Sequence, residues 1–513
     1  MADAITLETV RKLIGDGRLK EASEACRKLI EGGGDPEALY LLAVTTGEDG
    51  LYSESLTLFE KAVNEFPDRA DVFYNFGTVL MKMGKTDEAI ACWSWAVELS
   101  PGYAEAHFNL GRAYSDGRMW PQALDHYQRV CALRPNNPDA FYNAGNVLFR
   151  TGKLDEAKYC FEQAVSIDPG YIQGWINLGL AELRQGHPGA SIRALEKALE
   201  KDSDNVLAHF NLGQALLLSG RLKEGFAEAE WRRRVEELPF PVSGRSPWEG
   251  GDIADKKILL YGEQGQGDVI HFLRYAKILA DRGAWVGVYC HEGLAGLAAN
   301  AEGVEKAASF SDEPPPFDTF APLMSLPHLL ELTETDGIPA APYITPPPPL
   351  SLAGGEDGIR VGLVWAGNPE HDNDINRSAK LDDFRPLLEI EGIGFFSLQV
   401  GDAAQEIKTA GLQSLIADLG SGFDDFTDTA AAIQALDLVI SVDTAVPHLA
   451  GALGKTIWLL LPRVPDWRWS LEGEKTPWYP SMRLFRQQGV RDWRPVIERI
   501  RDELTDFARH RGA

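Results

Sequence analysis

The chain has 513 residues, 44% of them hydrophobic and 25% charged, and a formal net charge of −26 at pH 7. That balance is one of a soluble globular protein with room for three or four domains, each with its own core. The acidity, with no long basic run, excludes nucleic acid as a partner, because phosphate recognition needs clustered Lys and Arg.

The chain opens with MADAITLETVRKLI, which lacks a basic segment followed by an apolar one, so no signal peptide is expected. No run of eighteen apolar residues is present to span a membrane, and a cytoplasmic protein is the expectation. Cys26, Cys92, Cys131, Cys160 and Cys290 are scattered, odd in number and without a CxxC pair. They predict small buried thiols rather than a disulfide framework or a zinc site.

Self-similarity organises the first half. Proline stands at Pro67, Pro101, Pro135 and Pro169, and glycine at Gly77, Gly111, Gly145, Gly179 and Gly213, always thirty-four residues apart. Ala89, Ala123 and Ala157 keep the same period, with Trp93, Tyr127 and Phe161 four residues later. Each period holds two helical segments around a Gly-containing turn (MGKTDEA, TGKLDEA). The pattern resembles the tetratricopeptide repeat (TPR). It predicts an α-superhelical solenoid over residues 1–236, with about six repeats and a partial N-terminal one, RLKEASEACRKLI. Small residues let paired helices approach and the aromatics fill the gap. The last repeat degrades, with Gly225 in place of Ala and AEAEWRRRVEE after it, as expected of a unit that caps the solenoid or docks it on another domain.

Asn75, Asn109, Asn143, Asn177 and Asn211 each precede the periodic glycine by two residues. They fall on the first helix of each pair, which lines the concave face of a TPR superhelix. A carboxamide both donates and accepts, which suits an extended peptide backbone. A similar Asn ladder lines the groove of O-GlcNAc transferase, which the repeats resemble in that respect. Each Asn has a second reading, a bond to the neighbouring repeat.

Residues 237–256 (LPFPVSGRSPWEGGDIADKK in the main) form a Pro- and Gly-rich linker. Short apolar runs then alternate with helical segments, the pattern of parallel α/β architecture. KILLYG, WVGVYC and EKAASF predict strands, with RYAKILADRG and GLAGLAAN as helices, in a first lobe over 257–337. IPAAPYITPPPPL opens a stiff Pro-rich hinge over 338–357. IRVGLVWAG, FFSLQVG, LDLVISV and TIWLLLP predict the strands of a second lobe over 358–513, ending in a helix. Two Rossmann-like lobes joined by a hinge are the outline of a GT-B glycosyltransferase, an outline that other bilobal proteins share.

Three loops follow predicted strands. GEQGQGDVIHF (262–272) has glycines for close approach or positive φ, and Asp268 stands near a helix start, where it is a functional carboxylate or an N-cap. WAGNPEHDNDINRSAKL (365–381) offers Asn368, Arg377, Ser378 and Lys380 to a diphosphate; Ser378 or Asp382 can equally cap the next helix, and Arg377 can be a solvated charge. SVDTAVPHLAGALG (441–454) places Asp443, Thr444 and Ala445 at a turn whose helix start suits a phosphate. His448 adds a donor, Pro447 fits a first helical turn, and the small residues allow tight packing. Gln399, within FFSLQVG, joins the donor side.

The run VDTAVPHLAGAL resembles the VDTGxxHLxAAL signature of the heptosyltransferase family, glycosyltransferase family 9. GDVIHF resembles that family's GDVLHTLP. The resemblance implies that Asp443, Thr444, Ala445 and His448 cradle the diphosphate of a nucleotide sugar. It also implies that Asp268 is the general base, with Gln264, Gly265, Gly267 and His271 in the acceptor-side loop, and that Arg377 sits in a phosphate-contacting loop. Arg274 replaces the family's Pro and Ala445 its Gly, where a positive φ would be less comfortable. The tail DWRWSLEGEKTPWYPSMRLFRQ (466–487) is similar instead to a bacterial group joining TPRs to such a lobe pair, some members of which glycosylate flagellin. The implied activity is metal-independent transfer from a nucleotide sugar to a protein hydroxyl captured by the TPR groove, with a flagellin-like subunit as a candidate acceptor. No cofactor and no divalent metal are expected, and DND (372–374) matches a DxD motif in letters alone. Two other readings stand: a saccharide- or lipopolysaccharide-assembly glycosyltransferase with TPRs as a docking module, and an inactive TPR adaptor. The joint presence of Asp268, Arg377 and the Asp-Thr-His set disfavours the last.

Overall fold

The computed structural model describes residues 5–33, 35–234, 240, 244–332, 338–352, 358–371 and 373–511. Residues 1–4 of the opening stretch, residue 34, 235–239 and 241–243 around the linker, 333–337 of the first lobe, 353–357 of the hinge, Asp372 of the DND triplet and the last two residues lie outside them. The chain divides into two compact units, Met1–Ala181 and Glu182–Ala513.

In the first unit the predicted helix pairs form. Tyr52–Glu65, Ala70–Lys82, Thr86–Leu99, Ala104–Asp116, Trp120–Leu133, Pro138–Arg150 and Leu154–Ile167 follow one another with short turns. The periodic residues explain the packing. A Cβ on Gly77 would lie 2.7 Å from Trp93, one on Gly111 2.8 Å from Tyr127, and one on Gly145 2.6 Å from Phe161. Each ring is buried against the bare backbone of its own pair, and Ala89, Ala123 and Ala157 are fully buried beside it. The turn between paired helices needs a left-handed residue, which is Gly84 in one repeat and Gly152 in another; Arg118 takes the same conformation at φ +56°.

The second unit begins with the last repeats, Pro188–Leu199, Val206–Leu218 and Leu222–Ala229, and a single turn, Glu230–Arg234. Two sheets follow. The first contains β1 (Lys257–Tyr261), β2 (Trp285–Cys290), β3 (Lys306–Ser309) and β4 (Thr319–Pro322), all parallel, in the order β3-β2-β1-β4. The second contains β5 (Ile359–Val364), β6 (Ile393–Ser397), β7 (Ile416–Asp418), β8 (Leu438–Val442), β9 (Ile457–Leu461) and β10 (Met482–Arg486), again parallel, in the order β10-β9-β8-β5-β6-β7. The strand order reverses beside β1 in one sheet and between β5 and β8 in the other. Loops at such switch points part and leave a crevice at the carboxyl ends of the strands. The loops after β1, β5 and β8 are the three singled out in the sequence.

One hydrophobic core runs through this unit. Leu217, Leu218 and Phe226 of the last repeats share it with Ile258 and Leu260 of β1, Val439 of β8, and Leu449. The C-terminal helix, Arg494–Arg511, covers the other face of the second sheet through Val496, Ile497, Ile500 and Leu504. The described part of the hinge, 338–352, is a packed strap rather than a bare connector. Tyr343 and Ile344 are 2% exposed. The Tyr343 N–H donates to Ala452 O at 3.1 Å, and the Leu350 N–H to Ala431 O at 2.9 Å. Tyrosine and isoleucine between the prolines supply apolar surface, and burying it outweighs the stiffness of the run.

Candidate functional site

The loop after β1 leads into the helix Gln266–Phe272, and the loop after β8 into the helix Ala445–Ala452. These helix starts meet at Gly267, where a Cβ would stand 3.1 Å from His448 Cδ2 and 3.4 Å from Ala445 Cα. Gly267 is therefore glycine because a neighbouring helix lies on it. The positive φ expected of this loop falls on Gln264, at +56°, and not on Gly265 or Gly267. Ala445 is the first helical residue and takes no positive φ, so the discomfort expected from losing a glycine there does not arise. Thr444 is the N-cap, its Oγ1 accepting from the Val446 N–H at 3.3 Å.

Asp268 stands at the third position of its helix and is not the N-cap, which is Gly265. Its Oδ2 accepts from the Gly265 N–H at 3.1 Å, closing the loop locally. Its Oδ1 accepts from Arg468 Nη2 at 2.5 Å. Arg468 also donates Nη1 to Asp466 at 2.9 Å, and its guanidinium lies 4.5 Å from the Trp467 ring centroid and 5.4 Å from that of Phe272. Arg468 is 5% exposed.

Behind this pair lies a buried polar knot. Tyr479 OH sits 3.1 Å from His271 Nδ1, 3.0 Å from His448 Nδ1 and 3.3 Å from Tyr343 OH. Tyr343 spends its own proton on Ile270 O at 3.0 Å. Arg274, 1% exposed, donates to His271 O at 2.8 Å and Trp478 O at 3.0 Å, with its guanidinium 4.7 Å from the Tyr479 ring centroid. Arg274 thus fills a core position where the heptosyltransferase pattern has Pro. Burial, then the charges of Arg274, Arg468 and His448, hold His271 well below the usual imidazole range. Burial, then Arg468 and Arg274, do the same to His448, so both rings are neutral at neutral pH. His271 belongs to this knot rather than to the exposed loop. Its Nε2, Arg468 Nε and His291 Nδ1 are buried without a hydrogen-bond partner, and such orphans in one neighbourhood mark a place where a ligand or water completes the set.

The loop after β5 is held by its own residues. Ser378 Oγ accepts from the Gly367 N–H at 2.9 Å and donates to Asp374 Oδ1 at 2.8 Å. Gln399 Oε1 accepts from the N–H groups of Trp365 (3.1 Å) and Ala366 (3.0 Å), while its Nε2 donates to Ala366 O and Val400 O. Ser378 and Gln399, expected to contact the donor, instead shape the backbone of the loop, because their polar atoms are spent there. Asn368 is exposed and accepts from the Glu370 N–H at 3.0 Å. Arg377 pairs with Asp374 at 3.2 Å and lies against Gly367, where a Cβ would come within 2.8 Å of its Nη2. Arg184, from the last repeats, reaches this loop and donates to Asn373 Oδ1 at 3.0 Å.

Asp443 lies among these groups. Burial, then the like charge of Asp466, pushes its carboxyl up to about 7, against the pull of Arg377, the Trp469 indole N–H and Arg468. The folded value stands above the unfolded one, so the folded state holds the extra proton between about pH 4 and pH 7. Stability from this group is full below that window and is lost as pH rises through it. Asp443→Asn removes that slope, and the difference in unfolding free energy between wild type and variant, followed by urea titration from pH 4 to pH 8, shifts in favour of the variant as pH rises.

The five Asn do not act alike. Asn75 donates to Tyr40 OH at 2.8 Å and Asn177 to Asn146 Oδ1 at 2.7 Å, both bonds to the preceding repeat. Asn143 bonds Asp139 O within its own helix at 2.8 Å, and Asn109 is half-buried. Asn211 is 7% exposed and does not line an open groove, because its helix carries Leu212, Leu216, Leu217 and Leu218 and is buried from several sides.

The tail 466–487 supplies what the motifs did not, namely Arg468, Trp469, Trp478 and Tyr479. The signal for it was four aromatics within thirteen residues of a polar segment, at Trp467, Trp469, Trp478 and Tyr479. His291, after β2, responds to the Asp268 charge and was also missed. All five cysteines are free; Cys26 and Cys290 are buried and the others half-buried. Among the described residues no group of three or more His, Cys, Asp or Glu is placed to hold a metal ion, and no helix is long and apolar enough to cross a membrane.

Family models of the tetratricopeptide repeat match residues 74–138, 138–171 and 176–231. The chain carries TPRs through its first 230 or so residues, and these repeats are a protein-interaction scaffold. Protein FlbA of Caulobacter vibrioides is 29% identical over 332 residues, 57% of this chain and 54% of that protein. The chain thus spans about half the length of this curated relative, and the match reaches beyond the repeats into the α/β part. Among solved structures, MamA is 28% identical, covering 31% of this chain and 92% of its own with a TM-score of 0.30. The C-terminal part of a TPR repeat-containing protein from Cytophaga hutchinsonii is 17% identical, covering 45% and 97% with a TM-score of 0.40.

Proposed function

We propose that the chain is a GT-B glycosyltransferase that moves a sugar from a nucleotide-sugar donor to a hydroxyl of a protein bound by its TPRs. The observation carrying this reading is the meeting of two switch-point loops from separate parallel sheets at Gly267 and His448, with Asp268 on one side and Asp443 and Arg377 on the other. The nucleotide phosphates would lie on the start of the helix Ala445–Ala452 near Arg377 and Arg468, where dipole and guanidinium charge favour an anion. The acceptor oxygen attacks the anomeric carbon, the bond from that carbon to the phosphate oxygen breaks, and the electron pair leaves with the nucleotide. The hydroxyl proton passes to Asp268. The residues present supply this chemistry without a metal ion. A flagellin-like subunit is the acceptor class suggested by the resemblance of the tail.

The test incubates the full chain with candidate secreted-filament subunits and a panel of nucleotide sugars, reading the acceptor by intact mass. An added sugar mass on a subunit that copurifies with the chain is the expected result. No mass change on any subunit, together with no nucleotide release from any donor, overturns the reading.

A further inference from the structure

On the reading above, Asp268 is poorly placed as a base in the arrangement observed. Both of its oxygens are engaged, Oδ1 by Arg468 and Oδ2 by the Gly265 N–H, so an incoming hydroxyl meets no uncommitted oxygen. Arg468, in turn, is one cation shared by two carboxylates. Nη2 serves Asp268 and Nη1 serves Asp466, while Nε is buried with no acceptor. A third carboxylate, Asp443, responds to the same charge.

The backbone beneath Arg468 is fixed independently of Asp268. Asp466 caps the turn by accepting from the Arg468 N–H at 3.0 Å. Arg486 of β10 donates to the carbonyls of Trp469 (2.5 Å), Ser470 (3.1 Å) and Gly473 (2.9 Å), stapling the segment that follows. The head group of Arg468 can therefore change partner while its main chain and its bond to Asp466 stay in place.

We infer that Arg468 is a ligand of the donor's nucleotide phosphate, and that it exchanges Asp268 for a phosphate oxygen when the donor binds. The inference rests on the proposed function and deepens it. A phosphate oxygen satisfies the planar guanidinium fork as well as a carboxylate does. The exchange leaves Asp268 with only the Gly265 N–H on Oδ2, so its Oδ1 is free to receive the acceptor's hydroxyl once donor is present. Without donor the base stays paired, which protects the acceptor side from unproductive chemistry.

The experiment titrates CMP, UDP and GDP into the full-length wild type, Asp268→Asn and Arg468→Lys, measuring dissociation constants by calorimetry. These probes separate a single phosphate from a diphosphate. Whichever nucleotide binds the wild type should bind Asp268→Asn about tenfold more tightly, because the competitor for the guanidinium has gone, and Arg468→Lys about tenfold more weakly. Unchanged or weaker binding to Asp268→Asn overturns the exchange while leaving the nucleotide site standing. If none of the three binds either the wild type or Asp268→Asn, the donor site itself fails and takes the inference with it. If Arg468→Lys melts early without ligand, the Asp268→Asn titration alone decides.

Discussion

On the proposed function, Asp268→Asn lowers sugar transfer by about a hundred- to ten-thousand-fold, the contribution typical of a positioned general base. Asparagine has the shape of aspartate and can still accept from the Gly265 N–H, so the loop and the start of the helix Gln266–Phe272 stay in place. What is lost is the capacity to take the acceptor's proton. Single-turnover transfer, followed by acceptor mass, should collapse while the melting temperature changes little. The donor KM should fall along with kcat, because Arg468 is freed for the phosphate, and that joint decrease separates this role from loss of binding. A wild-type rate in the variant removes Asp268 from the role and makes His291, with its buried, unpaired Nδ1, the next residue to replace.

Glu263→Ala costs about 3–5 kcal/mol of stability in the second unit. Glu263 lies beside Gln264, in the loop that carries Asp268, and forms a two-pronged pair with Arg232 at the end of the last repeat. Their side chains are 6% and 3% exposed. Arg232 also donates to Ala229 O, Glu230 and Ser325, and removing Glu263 leaves much of its charge uncompensated in a dry place. Urea denaturation should show the midpoint falling, and hydrogen exchange should show amides 262–268 opening first. A loss below about 1 kcal/mol would mean that Glu230 carries the pair alone.

The helical half was legible because thirty-four-residue spacing is a long-range signal repeated in register, and the rings on Gly77, Gly111 and Gly145 are its physical cause. Six strands were legible as apolar runs, since a strand buried on both faces of a parallel sheet reads as continuous hydrophobic sequence, and the edge strand Lys306–Ser309 was legible by its place in the alternation with helices. The three missed strands lack that mark. TFAP is four residues long with a proline, IAD is three long, and MRLFR alternates charge with apolar residues at the edge beside β9.

The site divides along the same line. Asp268 and His448 stand in short loops at strand ends, where position alone suggests chemistry. Arg468 and Tyr479 act across about two hundred residues of sequence, on Asp268 and His271, from a segment with neither period nor motif. Ser378 and Gln399 carry suitable groups in the right loops, but polar composition does not tell whether an amide faces a ligand or its own backbone.

The core shared by Leu217, Leu218 and Phe226 with β1 and β8 bears on how such a protein can change its clientele. A repeat array diversifies by gaining, losing or trading units, and that freedom belongs to units whose neighbours are other repeats. The helices from Pro188 to Ala229 have surrendered it, since altering them disturbs the floor beneath the loop of Asp268. Exchange of partner specificity, by recombination or by engineering, is accordingly confined to the portion before Glu182. On the proposed function, a chimaera joined in the turn ahead of the helix Ile172–Arg184 keeps the shared core and changes the bound protein, whereas one joined after the last repeat breaks that core.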